Sequence, residues 1–126
     1  MSDFYLFGLS STRADWLSQR QAVVAENVAN ANTPGYRAKD VSAFSTVLET
    51  TKLDLAASRA NHLVASAGRE FGVDEGRQTP WDITHSGNSV SLEQEMLKAG
   101  EISRDYALDT SIAKAFHRMY LTTLKG

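Results

Sequence analysis

Leu92, Ala99, Tyr106, Ala113 and Tyr120 follow one another at intervals of seven residues without a break, a spacing that a long α-helix turns into one face. Met96, Ile102, Phe116 and Leu124 widen the apolar stripe, so a helix is expected over 92–124. At about 1.5 Å per residue it would be roughly 50 Å long. The repeat is that of a coiled-coil seam more than of a globular core face. Ser91 with Gln94 makes a candidate capping box at its start. Gly100 inside it costs about 1 kcal/mol relative to alanine.

The other end of the chain carries a stripe of the same period. Leu9, Trp16 and Val23 recur every seven residues, as do Leu17, Val24 and Ala31, which predicts a first helix over 9–31. Asp15, Gln19 and Glu26 lie off the stripe, whereas Arg13, Arg20 and Asn27 recur every seven residues within it. A polar row there suits a seam facing other protein better than a dry core. The helix must stop near Asn32. Thr33 precedes a proline, which pushes it out of the α region, and Pro34 and Gly35 supply the two central residues of a type II turn.

Between the ends, 41–57 reads as a shorter helix with Phe44, Val47, Leu48 and Leu55 on one side and Asp40 as a candidate N-cap. From 59 to 90 the chain carries Gly68, Gly72, Gly76, Pro80 and Gly87 and reads as a long loop with a short strand near 80–84. The expected fold is therefore all-α and a single domain over 1–126. Two long antiparallel terminal helices (1–32 and 91–126) form a coiled-coil-like hairpin. A turn and short helix occupy 33–58, and an irregular loop 59–90. Leu9, Trp16, Val23 and Val24 are expected to face Leu92, Tyr106, Ala113 and Tyr120 across the intrachain seam. Two helices packed only on each other cover these stripes incompletely, so neighbouring subunits are expected to complete the fold.

The chemistry available is limited. A formal net charge of −2 gives no electrostatic reason to bind nucleic acid. Cysteine is absent, so no thiolate metal site or cysteine nucleophile can form. Phe4 to Leu9 is a short apolar run preceded by Asp3, a poor secretory signal, and nothing approaches a membrane span. The expectation is a protein that stays in the cytosol or leaves it by a route that cleaves nothing. His62, His85 and His117 share no ligand spacing, and 86–89 (Ser-Gly-Asn-Ser) is a turn feeding the Ser91 cap, not a nucleophile elbow. Glu93 and Glu95 suit the positive end of the last helix. No catalytic residue, cofactor site, metal site or small-molecule substrate is expected.

Asn27, Asn30 and Asn32 crowd the end of the first helix, although asparagine competes with the helical backbone. One C-cap explains one of them. Asn27 and Asn30 are read as amides bonded to a neighbouring chain or to the following turn.

The stretch 20–36 contains Asn27-Val28-Ala29-Asn30 followed by Thr33-Pro34-Gly35-Tyr36. It resembles the N-terminal signature of the flagellar axial proteins, the family of rod, hook and hook-associated proteins. The run Tyr36-Arg37-Ala38-Lys39-Asp40-Val41, the ending from Gly87 through Glu95 and Met96, and the short length resemble the proximal-rod members, of which more than one kind competes for the match. The resemblance fades between Lys52 and Thr84; Val28 stands where isoleucine is commoner, and Gly100 interrupts the last helix. It implies a structural subunit of the proximal rod, the hollow shaft that transmits torque, exported through the flagellar type III gate with no cleaved signal. Implied partners are copies of itself, other rod proteins, the adaptor FliE, the export gate and the membrane ring. Asn27, Asn30, Thr33, Pro34, Gly35 and Tyr36 are the expected subunit contacts. The rival reading is a small cytoplasmic helical adaptor.

Overall fold

The computed structural model describes residues 2–57, 71–75, 80–81 and 83–126, with side chains omitted at 2–7 and 51–57. Five elements follow in order: α1 (Ser2–Ala29), β1 (Lys39–Val41), α2 (Phe44–Ala57), β2 (Val73–Glu75) and α3 (Leu92–Lys125). The fold is mostly helical, dominated by its two long terminal helices. α3 runs through Gly100 without interruption for 34 residues. Its first turn is capped by Ser91, whose Oγ accepts from the Gln94 N–H at 3.4 Å. As numbering falls along α1 it rises along α3: Arg20 faces Glu101, Ala14 faces Tyr106, and Arg13 faces Asp109. The two helices are therefore antiparallel.

The middle of the chain departs from expectation. β1 and β2 form an antiparallel ribbon in the register Lys39↔Glu75, Asp40↔Asp74, Val41↔Val73. The ribbon continues through Ser42, whose N–H donates to Gly72 O at 2.8 Å. Val41 thus belongs to a strand, and α2 begins later, at Phe44. Asp40 is no helix cap: its carboxylate accepts from the Val41 N–H at 2.8 Å and faces Arg20. Among the described residues of 80–84 there is no strand. Three-residue strands are too short to show an alternating pattern, and these two exist only because a distant segment pairs with each. The rest of the expected loop, 59–70, 76–79 and 82, and His62 with it, lies outside the described residues.

The core gathers Trp16, Leu17, Val23 and Val24 of α1, Val41 of β1, Phe71, and Ile102 of α3, flanked by Phe44, Val47 and Tyr106. Trp16 fixes the corner between α1 and α2. Its ring lies 5.5 Å from that of Phe44, and its Nε1–H donates to Ser42 O at 2.7 Å. Gln19, off the apolar stripe, secures Phe71 with both ends of its amide: Nε2 donates to Phe71 O at 2.9 Å and Oε1 accepts from Phe71 N at 3.1 Å. α3 contributes only one buried apolar side chain, Ile102; its other buried residues are Glu95 and Lys98.

Candidate functional site

The seam between α1 and α3 takes some of the expected residues and not others. Trp16, Val23 and Val24 are buried. Tyr106 packs against the core and donates its hydroxyl to Ala14 O at 3.1 Å. Leu9 and Ala113 are half-buried and line an apolar groove of about 270 Å³ with Phe44, Leu48 and Ile112. Leu92 and Tyr120, by contrast, remain 53% and 46% exposed. A strict seven-residue repeat drifts about 20° per heptad on a straight helix. At Leu92 the packed line therefore leaves the heptad stripe and passes instead through Glu95, Lys98 and Ile102.

The polar heptad row of α1 reads α3 and β1. The Arg13 guanidinium lies 3.2 Å from Asp109 and 3.7 Å from Asp105, and 5.4 Å over the Phe44 ring. Arg20 sits 3.4 Å from both Asp40 and Glu101, and 5.5 Å over Trp16. Lys98 completes the row, 3.2 Å from Glu95 and 3.8 Å from Asp40. Pairs as open as Arg20–Glu101 contribute about 0–1 kcal/mol each. Their consequence is geometric: Asp40, reached by Arg20 and Lys98 alike, ties β1 to both long helices.

Two buried amides hold the chain together at the end of α1. Asn27 is 0% exposed. Its Nδ2 donates to Lys39 O at 2.8 Å, and its Oδ1 accepts from the Lys39 N–H at 3.0 Å and the Tyr36 hydroxyl at 3.1 Å. These bonds run to the segment that follows the helix. Asn88, 1% exposed, works from the other side. It donates to Asn30 O at 2.9 Å and Thr33 O at 2.7 Å and accepts from the Val90 N–H at 2.8 Å. These two carbonyls, at the end of α1 and in the turn after it, thus find donors from the segment that leads into α3. Sequence reasoning missed Asn88 because its partners lie 55 and 58 residues away.

The turn between these amides is exposed at Thr33, Pro34 and Gly35 and half-buried at Asn30 and Tyr36. Asn30 donates to Glu26 O at 2.9 Å and accepts from the Thr33 hydroxyl at 3.1 Å. The Tyr36 N–H donates to Thr33 O at 3.2 Å while Gly35 has φ 73°, the marks of a type II turn. The turn docks through Gly35 N–H to Ser86 O at 2.8 Å and Ser89 N–H to Tyr36 O at 3.0 Å. Burial and the nearby Glu26 carboxylate raise the Tyr36 hydroxyl pKa, against the opposing charge of Lys39. The hydrogen bond to Glu26 raises that of the Lys39 ammonium. A Cβ at Gly35 would meet no atom within 4 Å, so the whole cost of a side chain is its left-handed backbone. Gly35→Val is expected to lose about 1–3 kcal/mol, read from the midpoint of urea unfolding; an unchanged midpoint would remove the turn's role in stability.

The outer face of α3 has no partner of its own. Leu97, Leu108 and Met119 recur at eleven residues, so they lie on one line along the helix. Leu108 is 55% and Met119 62% exposed. No helix among the described residues is long and apolar enough to cross a membrane. Among the described residues no group of three or more His, Asp or Glu side chains could hold a metal ion.

The family described as flagella basal body rod protein matches residues 11–37, which hold the polar row, Asn27 and the type II turn. The FlgB flagellar basal body rod protein of Agrobacterium fabrum is 47% identical, over 99% of this chain and 96% of its own length. That of Salmonella typhimurium is 27% identical over 86% of this chain and 85% of its own. That of Escherichia coli is 29% identical over 75% and 74%.

Proposed function

Because the chain belongs to the FlgB family of flagellar basal body rod proteins, which is structural and not enzymatic, we infer that it is held in the rod through the outer face of α3. Membership makes it a structural component of the basal body that assembles with other rod proteins. The observation that carries the finer reading is the exposed apolar line Leu97, Leu108 and Met119. A face of this kind, unpaired within its own chain, costs free energy in water and is recovered by burial against another subunit.

In this reading the terminal helices pack in coiled-coil fashion with copies of the chain and with other rod proteins. They do so in the proximal part of the hollow shaft, near FliE, the membrane ring and the export gate. The exposed turn at Thr33, Pro34 and Gly35, with Asn30 and Tyr36 at its edges, offers a second, polar contact. Shear along the shaft then passes through two surfaces on each subunit, one apolar and one hydrogen-bonding.

The double variant Leu108→Asp, Met119→Asp tests the apolar contact. Both positions are exposed, so the purified chain should unfold within about 0.5 kcal/mol of the parent. In cells lacking the natural gene, the parent should restore swimming and be found by mass spectrometry in purified hook–basal bodies. The variant should do neither. Full motility with the two aspartates in place would remove α3 from the interface.

A further inference from the structure

The second half of the chain, 71–126, is placed on the fold by partners in the first. The Gln19 amide holds Phe71 at both N–H and O, the Ser42 N–H donates to Gly72 O, and β2 pairs with β1. Asn88 donates to Asn30 O and Thr33 O, and Ser86 O takes the Gly35 N–H. α3 then meets Arg13, Ala14 and Asp40. This half brings Phe71, Val90 and Ile102, three buried apolar side chains on three separate stretches, whereas α1 alone brings Trp16, Leu17, Val23 and Val24. By itself such a half has too little to bury, and a long helix draws most of its stability from the face it packs on. The second half therefore takes its fold from the surface on which it docks.

That surface does not distinguish its own chain from another copy. Every copy carries an identical second half, and only the covalent tie through 58–70 favours the one from the same chain. The tie is long. α2 starts at Phe44, beside Trp16, and its Leu48 reaches the groove at Leu9, so it runs toward the start of α1. Phe71 lies back at Gln19 and Gly72 at Ser42, so the chain must return by roughly the length of α2, about 20 Å. The thirteen residues between Ala57 and Phe71 reach about 45 Å when extended. The surplus is enough to cross to the same surface on an adjoining copy. We propose that the α1 and β1 surface that receives 71–126 is also an interface between copies, filled by the second half of a neighbouring chain. Exchange remakes every contact of the single chain, so it costs little once copies are concentrated. In a shaft it carries each chain through two subunits, so that shear must unfold a chain to part them. That use, and only that, rests on the assembly reading above.

The chain has no cysteine, so introduced thiols report on chosen pairs. Ser10 of α1 and Ala113 of α3 line the same two grooves and lie side by side. Full-length Ser10→Cys and Ala113→Cys chains are mixed in urea, refolded together and treated with a short bis-maleimide. They should give a covalent heterodimer whose yield rises with protein concentration. With Ser103→Cys in place of Ala113→Cys, about 15 Å away along α3, the yield should be at least tenfold lower. The link should persist when both chains also carry Leu108→Asp and Met119→Asp, because the outer face of α3 takes no part in it. A chain lacking 59–68 keeps three residues between Ala57 and Phe71, a span of at most about 14 Å, shorter than α2. It should be a dimer by light scattering with its helical circular dichroism retained. Absence of the mixed link at every concentration would overturn the exchange, and so would its loss with the outer face altered. A shortened chain that stays monomeric or loses its helices would overturn it too. Neither readout involves the rod, so failure of the exchange is separable from failure of the assembly reading.

Discussion

Asn88→Asp is expected to destabilise the chain by about 3–5 kcal/mol, the cost of an uncompensated charge at an enclosed position. The carboxylate cannot donate, so Asn30 O and Thr33 O, now bonded at 2.9 and 2.7 Å, would face negative oxygen instead. The acceptor half of the side chain survives: an aspartate oxygen can still take the Val90 N–H held at 2.8 Å. The substitution therefore separates the donor role from the acceptor role. Domains of this size are stable by about 5–15 kcal/mol, so a loss near the upper end would leave much of the chain unfolded. Urea unfolding followed by circular dichroism measures it. A loss under about 0.5 kcal/mol would mean that water replaces the amide and that the clamp is incidental.

Leu17→Ala is expected to cost about 2–5 kcal/mol, because the side chain is completely enclosed and the cavity left behind cannot fully collapse. Its neighbours in the core include Trp16, whose indole is held by Ser42 O, and Phe71, held by Gln19. Both are braced by hydrogen bonds that resist movement into the void. Leu108→Ala removes the same atoms from an exposed position and should change stability by less than about 0.5 kcal/mol. Similar losses at the two positions in the same unfolding experiment would contradict the assignment of core and outer face.

The two long helices were legible because their signal is local and repeated. Each is specified by apolar residues at a constant spacing, and the stop after α1 by the chemistry of Pro34 and Gly35. The Ser91 cap was legible for the same reason, since donor and acceptor lie three residues apart. The family was legible from 20–36, where Asn27 and the turn occur in one contiguous run. The ribbon of β1 and β2 was not, and neither was the role of Phe71. Their partners are distant in the chain, and segments of three residues carry no period of their own.

The functional face shows the same division within a single helix. Periodicity established that α3 has apolar residues all along it, and heptad spacing nominated Leu92, Ala99, Tyr106, Ala113 and Tyr120 as its inner line. The line that faces inward carries Ile102 into the core, Tyr106 onto it, and Lys98, Asp105 and Asp109 to their partners on β1 and α1. The two long helices, the stop after the first and the family rest on interactions between near neighbours, so they could be read along the chain. The rotation of α3 and the two-sided amide clamp on the turn are seen in the folded chain alone. Those depend on where groups 12 to 92 residues apart meet in space, which no local pattern encodes.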